Sequence, residues 1–92
     1  MPVPETKLTG HAKDALEERA IPEEWVWRTI TTPDRTEIRA DNNTHYIKAI
    51  PEYGGRFLRV VVNPHVTPRR VVTVFFDRRL RRDHETQSGQ RE

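Results

Sequence analysis

The stretch RFLRVVVNPHVTPRRVVTVFFD, from Arg56 to Asp77, carries the strongest signal of secondary structure in the sequence. Two runs rich in Val and Phe flank a loop that contains two prolines, a pattern typical of β-strands. Strands this close in sequence favour antiparallel pairing, because a parallel connection needs a dozen or more residues. The stretch therefore predicts neighbouring strands from Arg56 to Asn63 and from Arg70 to Asp77.

Two further strands are predicted upstream, where apolar and polar residues alternate. TEIRA, Thr36 to Ala40, is followed by the turn Asp41-Asn42-Asn43, and THYIKAI spans Thr44 to Ile50. The pair Gly54-Gly55 supplies the next turn. The four strands predict an antiparallel meander.

Two helices precede these strands. The first is predicted from Gly10 to Arg19 with Thr9 as its N-cap, and the second begins at Pro22 and stops before Pro33. Helices followed by strands indicate an α+β fold. We expect two N-terminal helices packed on one face of a four-stranded antiparallel sheet. Residues 1–8 would be a flexible arm, residues 9–82 a single α+β domain, and residues 83–92 a disordered tail.

Composition excludes several classes of protein. The chain has no cysteine, which removes disulfides and thiolate metal sites, and no apolar run approaches the roughly 20 residues of a membrane span. The N-terminus MPVPETK lacks the features of a signal peptide. The four histidines show no metal-ligand spacing. We expect a cytoplasmic protein without cofactor, metal or membrane contact.

Strand alternation sorts the side chains of the predicted sheet into two faces. The face expected beneath the helices is apolar: Ile47, Ala49, Leu58, Val60, Val62, Val72, Val74 and Phe76. The face expected to be open is mixed: Tyr46, Lys48, Phe57, Arg59, Val71, Thr73, Phe75 and Asp77.

The mixed face favours RNA as a partner, since aromatic rings stack on bases and cations contact phosphates. Residues 53–92 hold nine Lys/Arg against four Asp/Glu, which supports an anionic partner. The expected nucleic-acid contacts are Arg56, Phe75, Arg78, Arg79, Arg81 and Arg82. The same face would also suit a protein interface, or the arginines could serve solubility alone.

Among catalytic chemistries, metal-independent RNA cleavage fits the available residues. The chain has no phosphate-binding glycine motif, and its one serine, Ser88, lies in the predicted tail, which excludes a serine triad. Cleavage needs proton transfer and cations at the phosphate. The candidate catalytic residues are His11, Tyr46, Lys48 and Arg59.

Some of these residues also have structural interpretations. His11 suits a helix end that hydrogen-bonds to backbone, and Arg19 suits an ion pair with a carboxylate such as Asp34 or Asp77 that would tie helix to sheet. On the open-face interpretation, Arg59→Ala would weaken RNA binding and leave the fold intact.

Three segments resemble the family of domains of unknown function numbered 4258: HAKDALEERAIPEEWVWRTITTPD (11–34), GGRFLRVVV (54–62) and VVTVFFDRRLRR (71–82). The resemblance extends from about Leu8 to Arg82. The helix–helix–sheet order of that family is similar to RelE, ParE and BrnT-type toxins, which antitoxin proteins neutralise. The resemblance therefore implies a RelE-like fold and either a toxin that cleaves mRNA, with an antitoxin partner, or a non-toxic, non-catalytic relative. Ala20 stands where the family pattern has glycine, a change expected only to tighten the joint between the helices.

Overall fold

The computed structural model describes residues 5–80, in which two helices lie against one face of a five-stranded sheet. The elements are β1 (Thr6–Leu8), α1 (Gly10–Glu18), α2 (Glu23–Thr31), β2 (Arg35–Ile38), β3 (Thr44–Ile50), a short 3-10 turn (Pro51–Tyr53), β4 (Arg56–Asn63) and β5 (Arg69–Phe76). The α+β class and both helices are confirmed. No helix among the described residues is long and apolar enough to span a membrane.

The sheet has the order β1-β5-β4-β3-β2 and is mixed. Strands β2 to β5 form the predicted antiparallel meander, whereas β1 pairs in parallel with β5, with Thr6 opposite Arg69 and Leu8 opposite Val71. The prediction of four strands is therefore wrong by one strand. The prediction of a flexible arm over residues 1–8 is wrong for Thr6–Leu8, because these residues form β1 and pair with β5. Residues 1–4 of the predicted arm and the predicted tail, residues 83–92, lie outside the described part.

Helix α1 begins at the predicted cap and is fixed to the sheet there. The Thr9 hydroxyl accepts a hydrogen bond from the Ala12 backbone N–H at 3.0 Å and donates to the Val71 carbonyl of β5 at 2.8 Å. Ala12 and Ala15 are fully or almost fully buried, so the helix lies close to the strands below. One side chain thus both starts the helix and ties it to β5.

The end of α1 is a Schellman motif with alanine at the position that usually holds glycine. Ala20 has φ of 54°, in the left-handed region. The Ile21 N–H donates to the Leu16 carbonyl at 2.9 Å, and the Ala20 N–H donates to the Glu17 carbonyl at 3.2 Å. The expectation that alanine only tightens this joint is wrong, since an alanine Cβ makes this conformation costly.

Helix α2 starts after Pro22 and carries Glu23 and Glu24 in its first turn, where the helix dipole favours anions. Its Arg28 donates two hydrogen bonds to the Glu52 carboxylate, at 2.8 and 2.9 Å, which ties the helix to the turn after β3. This ion pair raises the pKa of Arg28 and lowers the pKa of Glu52 to about 2.

The core lies between the helices and one sheet face. Its members are Ala12, Leu16, Ile21, Val26, Ile30, Ile50, Leu58, Val60, Val62, Val71 and Val74. In β4 the predicted assignment of side chains to the helix side is confirmed, because Leu58, Val60 and Val62 all belong to this core.

In β3 and at the start of β5, the prediction of which side chains face the helices is wrong. Tyr46 lies opposite Val60, and Ile47 lies opposite Arg59, so Tyr46 and Lys48 share the helix side while Ile47 and Ala49 face the other way. In β5 the register shifts beside Val61 and Val62. This bulge leaves Val72 without a ladder partner in β4 and turns Val71 into the core.

Candidate functional site

The open face is the side of the sheet turned away from α1 and α2. Strand pairing places twelve side chains of β2 to β5 on it: Arg35, Glu37, His45, Ile47, Ala49, Phe57, Arg59, Val61, Asn63, Arg70, Thr73 and Phe75. Asp77, directly after β5, also reaches this face and contacts Arg59. Three of the four buried polar side chains among the described residues, His45, Arg59 and Asp77, therefore meet here, outside the apolar core.

Arg59 and Asp77 form the centre of the open face. The Arg59 Nε lies 2.9 Å and its Nη2 lies 2.8 Å from the same oxygen, Oδ2 of Asp77. Both side chains are almost inaccessible, with 3% and 2% of their surface exposed. A pair this buried is stable only because hydrogen bonds replace the lost water.

His45 completes the network with a defined tautomer. Its Nδ1 lies 3.0 Å from Nη1 of Arg59, and a guanidinium can only donate, so Nδ1 accepts and carries no proton. The Nε2 lies 3.2 Å from Oδ2 of Asp41 and donates its proton there. Both ring nitrogens of the neutral imidazole are therefore engaged.

Carboxylates connect this centre to exposed arginines at its rim. Glu37 accepts from Arg39 at 2.9 Å and lies 3.5 Å from Arg59 and 3.7 Å from Arg35. The hydrogen bond from Arg39, helped by the charges of Arg59 and Arg35, lowers the pKa of Glu37.

Asp77 plays the same linking role for Arg79, whose backbone N–H donates to Oδ1 at 2.9 Å and whose Nε donates at 3.3 Å. Burial by itself would raise the pKa of Asp77, but the hydrogen bonds from Arg79 and Arg59 outweigh it and hold this pKa below its usual value. The carboxylates are therefore ionised near neutral pH.

Two aromatic rings flank this network. Phe75 lies opposite Arg59 in the ladder, and Phe57 precedes Arg59 by two residues on the same face. Both are half-buried, so each ring keeps part of its surface accessible. The open face thus combines partly exposed rings with a rim of arginines.

The four predicted catalytic residues are not brought together. His11 is exposed on α1, on the helix side of the sheet. Tyr46 accepts a hydrogen bond from Arg69 at 2.9 Å, and Lys48 donates to the Thr32 carbonyl at 2.9 Å; both lie on the helix side. Arg59 alone belongs to the open face.

The predicted nucleic-acid contacts divide between two sites. Phe75 lies on the open face, and Arg79 and Arg78 follow the end of β5. Arg56 lies 5.5 Å from the ring centroid of Tyr53, on the other side of the sheet. Arg81 and Arg82 lie outside the described residues.

The predicted ion pair between Arg19 and Asp77 is wrong. Asp77 pairs with Arg59 and Arg79, on the face opposite the helices. Arg19 instead caps α1 through its backbone N–H, which donates to the Ala15 carbonyl at 3.0 Å. The sheet therefore separates the two side chains.

Sequence reasoning missed Glu37 and Asp41 as members of the site. The contact of His45 with Arg59 could not be foreseen, because it depends on the register between β3 and β4. Among residues 5–80, no group of three His, Asp or Glu side chains could hold a metal ion.

Comparison with known proteins identifies the family of this chain but no individual relative. No curated protein and no solved structure matches the chain. The family described as a domain of unknown function, DUF4258, matches residues 8–76, which begin at the end of β1 and include all of β5. The chain therefore belongs to the DUF4258 family.

Proposed function

We propose that the open face binds single-stranded RNA, and that the chain is an RNA-directed protein of the RelE/BrnT-like toxin type. The observation that supports this proposal is the position of Phe57 and Phe75. Both rings are half-buried on the open face beside Arg59, whose network reaches the exposed side chains of Arg39 and Arg79. Rings offer stacking surfaces to bases, and arginines offer charge to phosphates.

The roles within the face follow from accessibility. Arg59 is buried and fully engaged, so its role is to hold Asp77 and His45 in place. The phosphate contacts fall to the exposed arginines of the rim: Arg35, Arg39, Arg78 and Arg79. Each stacked base contributes about 1–3 kcal/mol, so two rings are enough for measurable affinity.

Binding is tested by titrating a labelled, unstructured RNA at several salt concentrations. Phe57→Ala/Phe75→Ala should weaken binding with little change in the salt dependence. Arg39→Ala/Arg79→Ala should weaken binding and lower the salt slope by about 0.7 for each lost phosphate contact. Lys13→Ala, on exposed α1 across the sheet, is the control. If both double variants bind like Lys13→Ala, the open face is not the RNA site.

Cleavage is the second part of this proposal. In the reaction, without a metal ion, the 2′-OH would lose its proton and attack the adjacent phosphorus, the P–O5′ bond would break, and the departing 5′-oxygen would take up a proton to leave as a hydroxyl. Labelled RNA should be incubated with the protein and a chelator, with and without ribosomes. New ends with 2′,3′-cyclic phosphate, lost in Phe57→Ala/Phe75→Ala but kept in His11→Ala, Tyr46→Phe and Lys48→Ala, which change the helix side, would support a ribonuclease whose site is the open face. Intact RNA that is nevertheless bound would leave a binding protein.

A protein partner, such as an antitoxin, is the second candidate. The observation that favours it is the alternation of charges on the open face, where Glu37 and Asp77 pair with arginines on several sides. Aromatic residues and arginine are enriched in protein interfaces. Salt separates the candidates, because counterion release makes RNA binding fall steeply with ionic strength.

A further inference from the structure

Strand β2 forms one edge of the sheet, and its outer side is available for another strand. It pairs with β3 on one side, and the sheet order places no described strand on the other. The Arg39 backbone N–H donates to the Asn43 carbonyl at 3.2 Å, which fixes the phase of the antiparallel ladder. By alternation, the N–H and C=O groups of Thr36 and Ile38 point away from β3.

Ile38 is the most exposed large apolar side chain in the described part of the chain, with 78% of its surface accessible. Edge strands are usually protected by short length, by charged side chains, by Pro or by a bulge. β2 is short and carries Arg35 and Glu37, but it contains no Pro, and its pairing with β3 shows no register shift. An exposed isoleucine beside outward-facing backbone groups is instead the feature of a strand-addition surface.

We propose that the outer edge of β2 pairs with β2 of a second copy of this chain, antiparallel and centred on Ile38. The inference depends on β2 alone and not on RNA binding. In this register Ile38 faces Ile38 of the second copy, and outward backbone groups meet outward backbone groups. Glu37 then faces Arg39 of the second copy, and the two-fold axis repeats this pair.

Charge complementarity selects this register over its neighbours. A pairing centred on Glu37 would set Glu37 against Glu37 and Arg35 against Arg39, which places like charges opposite each other. A pairing centred on Thr36 would set Ile38 against Asp34 and leave its apolar side chain unmatched. Only the Ile38-centred register joins apolar with apolar and opposite charges with each other.

The assembly would join the two sheets at their β2 edges and keep both open faces on the same side. Two rims of exposed arginines, including Arg35 and Arg39 of each copy, would then lie next to each other.

Disulfide trapping tests the register directly, because the chain contains no cysteine. Paired residues on a hydrogen-bonded antiparallel site have Cα atoms about 5.5 Å apart, within the range that a disulfide spans. Ile38→Cys should form a covalent dimer under mild oxidation. Val66→Cys, at another exposed apolar residue (41% accessible), is the matched control. Equal rates of crosslinking in both variants would overturn the proposal.

Sedimentation equilibrium gives an independent measurement on the unmodified chain. The wild type should associate to a dimer as concentration rises, and Ile38→Lys should weaken association by about ten-fold or more, because it places two cations on the axis. Val66→Lys should associate like the wild type. Circular dichroism confirms that each variant folds, which the exposure of Ile38 leads us to expect. A wild type that stays monomeric throughout would overturn the proposal.

Discussion

Nη2 of Arg59 lies 2.8 Å from Oδ2 of Asp77, and neither side chain has appreciable contact with solvent. Arg59 belongs to the middle of β4, whereas Asp77 follows the last residue of β5. The pair therefore fixes the end of β5 against its neighbour from the side of the sheet that the helices do not cover. Loss of one partner from such a buried pair destabilises a protein far more than loss of one partner from an exposed ion pair.

Arg59→Ala should destabilise the fold strongly, contrary to the expectation from sequence that only RNA binding would suffer. Removing one partner leaves the buried Asp77 carboxylate without its main donor, at a cost of about 3–5 kcal/mol. Urea denaturation followed by circular dichroism measures the free energy of unfolding. Arg79→Ala, which removes an exposed partner of the same carboxylate, should cost less than about 1 kcal/mol. Similar losses for both variants would contradict the buried-pair interpretation.

Stability should fall in acid because several carboxylates are ionised more readily in the folded chain. The pKa values of Glu37, Asp41 and Asp77 are lowered, and that of Glu52 falls to about 2. A lowered folded-state pKa gives stability that is present above the unfolded value, near 4, and is lost as pH falls through the folded value. The free energy of unfolding should be level from neutral pH to about 5 and fall steadily below about 4.

Asp77→Asn isolates the contribution of one carboxylate to this loss of stability in acid. At neutral pH the variant should be less stable than the wild type, and the difference should shrink below about pH 4 as Asp77 of the wild type becomes protonated. Asp14→Asn, at an exposed position on α1, serves as the control. A difference between wild type and Asp77→Asn that stays constant down to about pH 2 would show that Asp77 is not the titrating group.

Ala20→Gly should stabilise the chain. Ala20 adopts φ of 54°, and relief of its left-handed strain is worth about 1 kcal/mol, partly offset by the greater entropy of glycine in the unfolded state. Thermal unfolding should show a higher midpoint. Ala15→Gly, inside α1, should be destabilising, as glycine in a helix normally is. A lower midpoint for Ala20→Gly would exclude strain at this joint.

Thr9→Ala should destabilise by about 1–2 kcal/mol, since it removes the helix cap of α1. The same hydroxyl also donates to the Val71 carbonyl, so the loss should exceed that of a cap alone. Thr9→Ser keeps the hydroxyl and should retain most of the stability. Chemical denaturation of the two variants in parallel makes the comparison; equal losses would assign the effect to the lost methyl group.

Much of the fold could be predicted because local signals mark it. Prolines, glycines and Thr9 delimit the helices, and the apolar runs around Val60 and Val74 define β4 and β5. β1 could not be predicted, because a strand of three residues is too short to show an alternation of apolar and polar side chains. Its pairing with β5 depends on a contact between distant parts of the chain.

The phase of β3 could not be predicted, because both of its faces offer apolar residues. Ile47 suggested one face and Ile50 the other, and only the ladder with β4 decides that Ile50 belongs under α2. The open-face network was missed for the same reason. Arg59 was identified as a functional cation from its sequence context, but its contacts with His45 and Asp77 require three strands in register.

The parallel pairing of β1 with β5 has a consequence for synthesis of the chain. Thr6 and Arg69 are neighbours in the sheet, although about sixty residues separate them along the chain. A growing polypeptide cannot place β1 in the sheet until β5 has left the ribosome. The pairings of β2 with β3 and of β3 with β4 can form before that moment, so the strand made first joins the sheet no earlier than the strand made last. Closing so long a loop is slow, and β1 stays available to other partners until the sheet is complete.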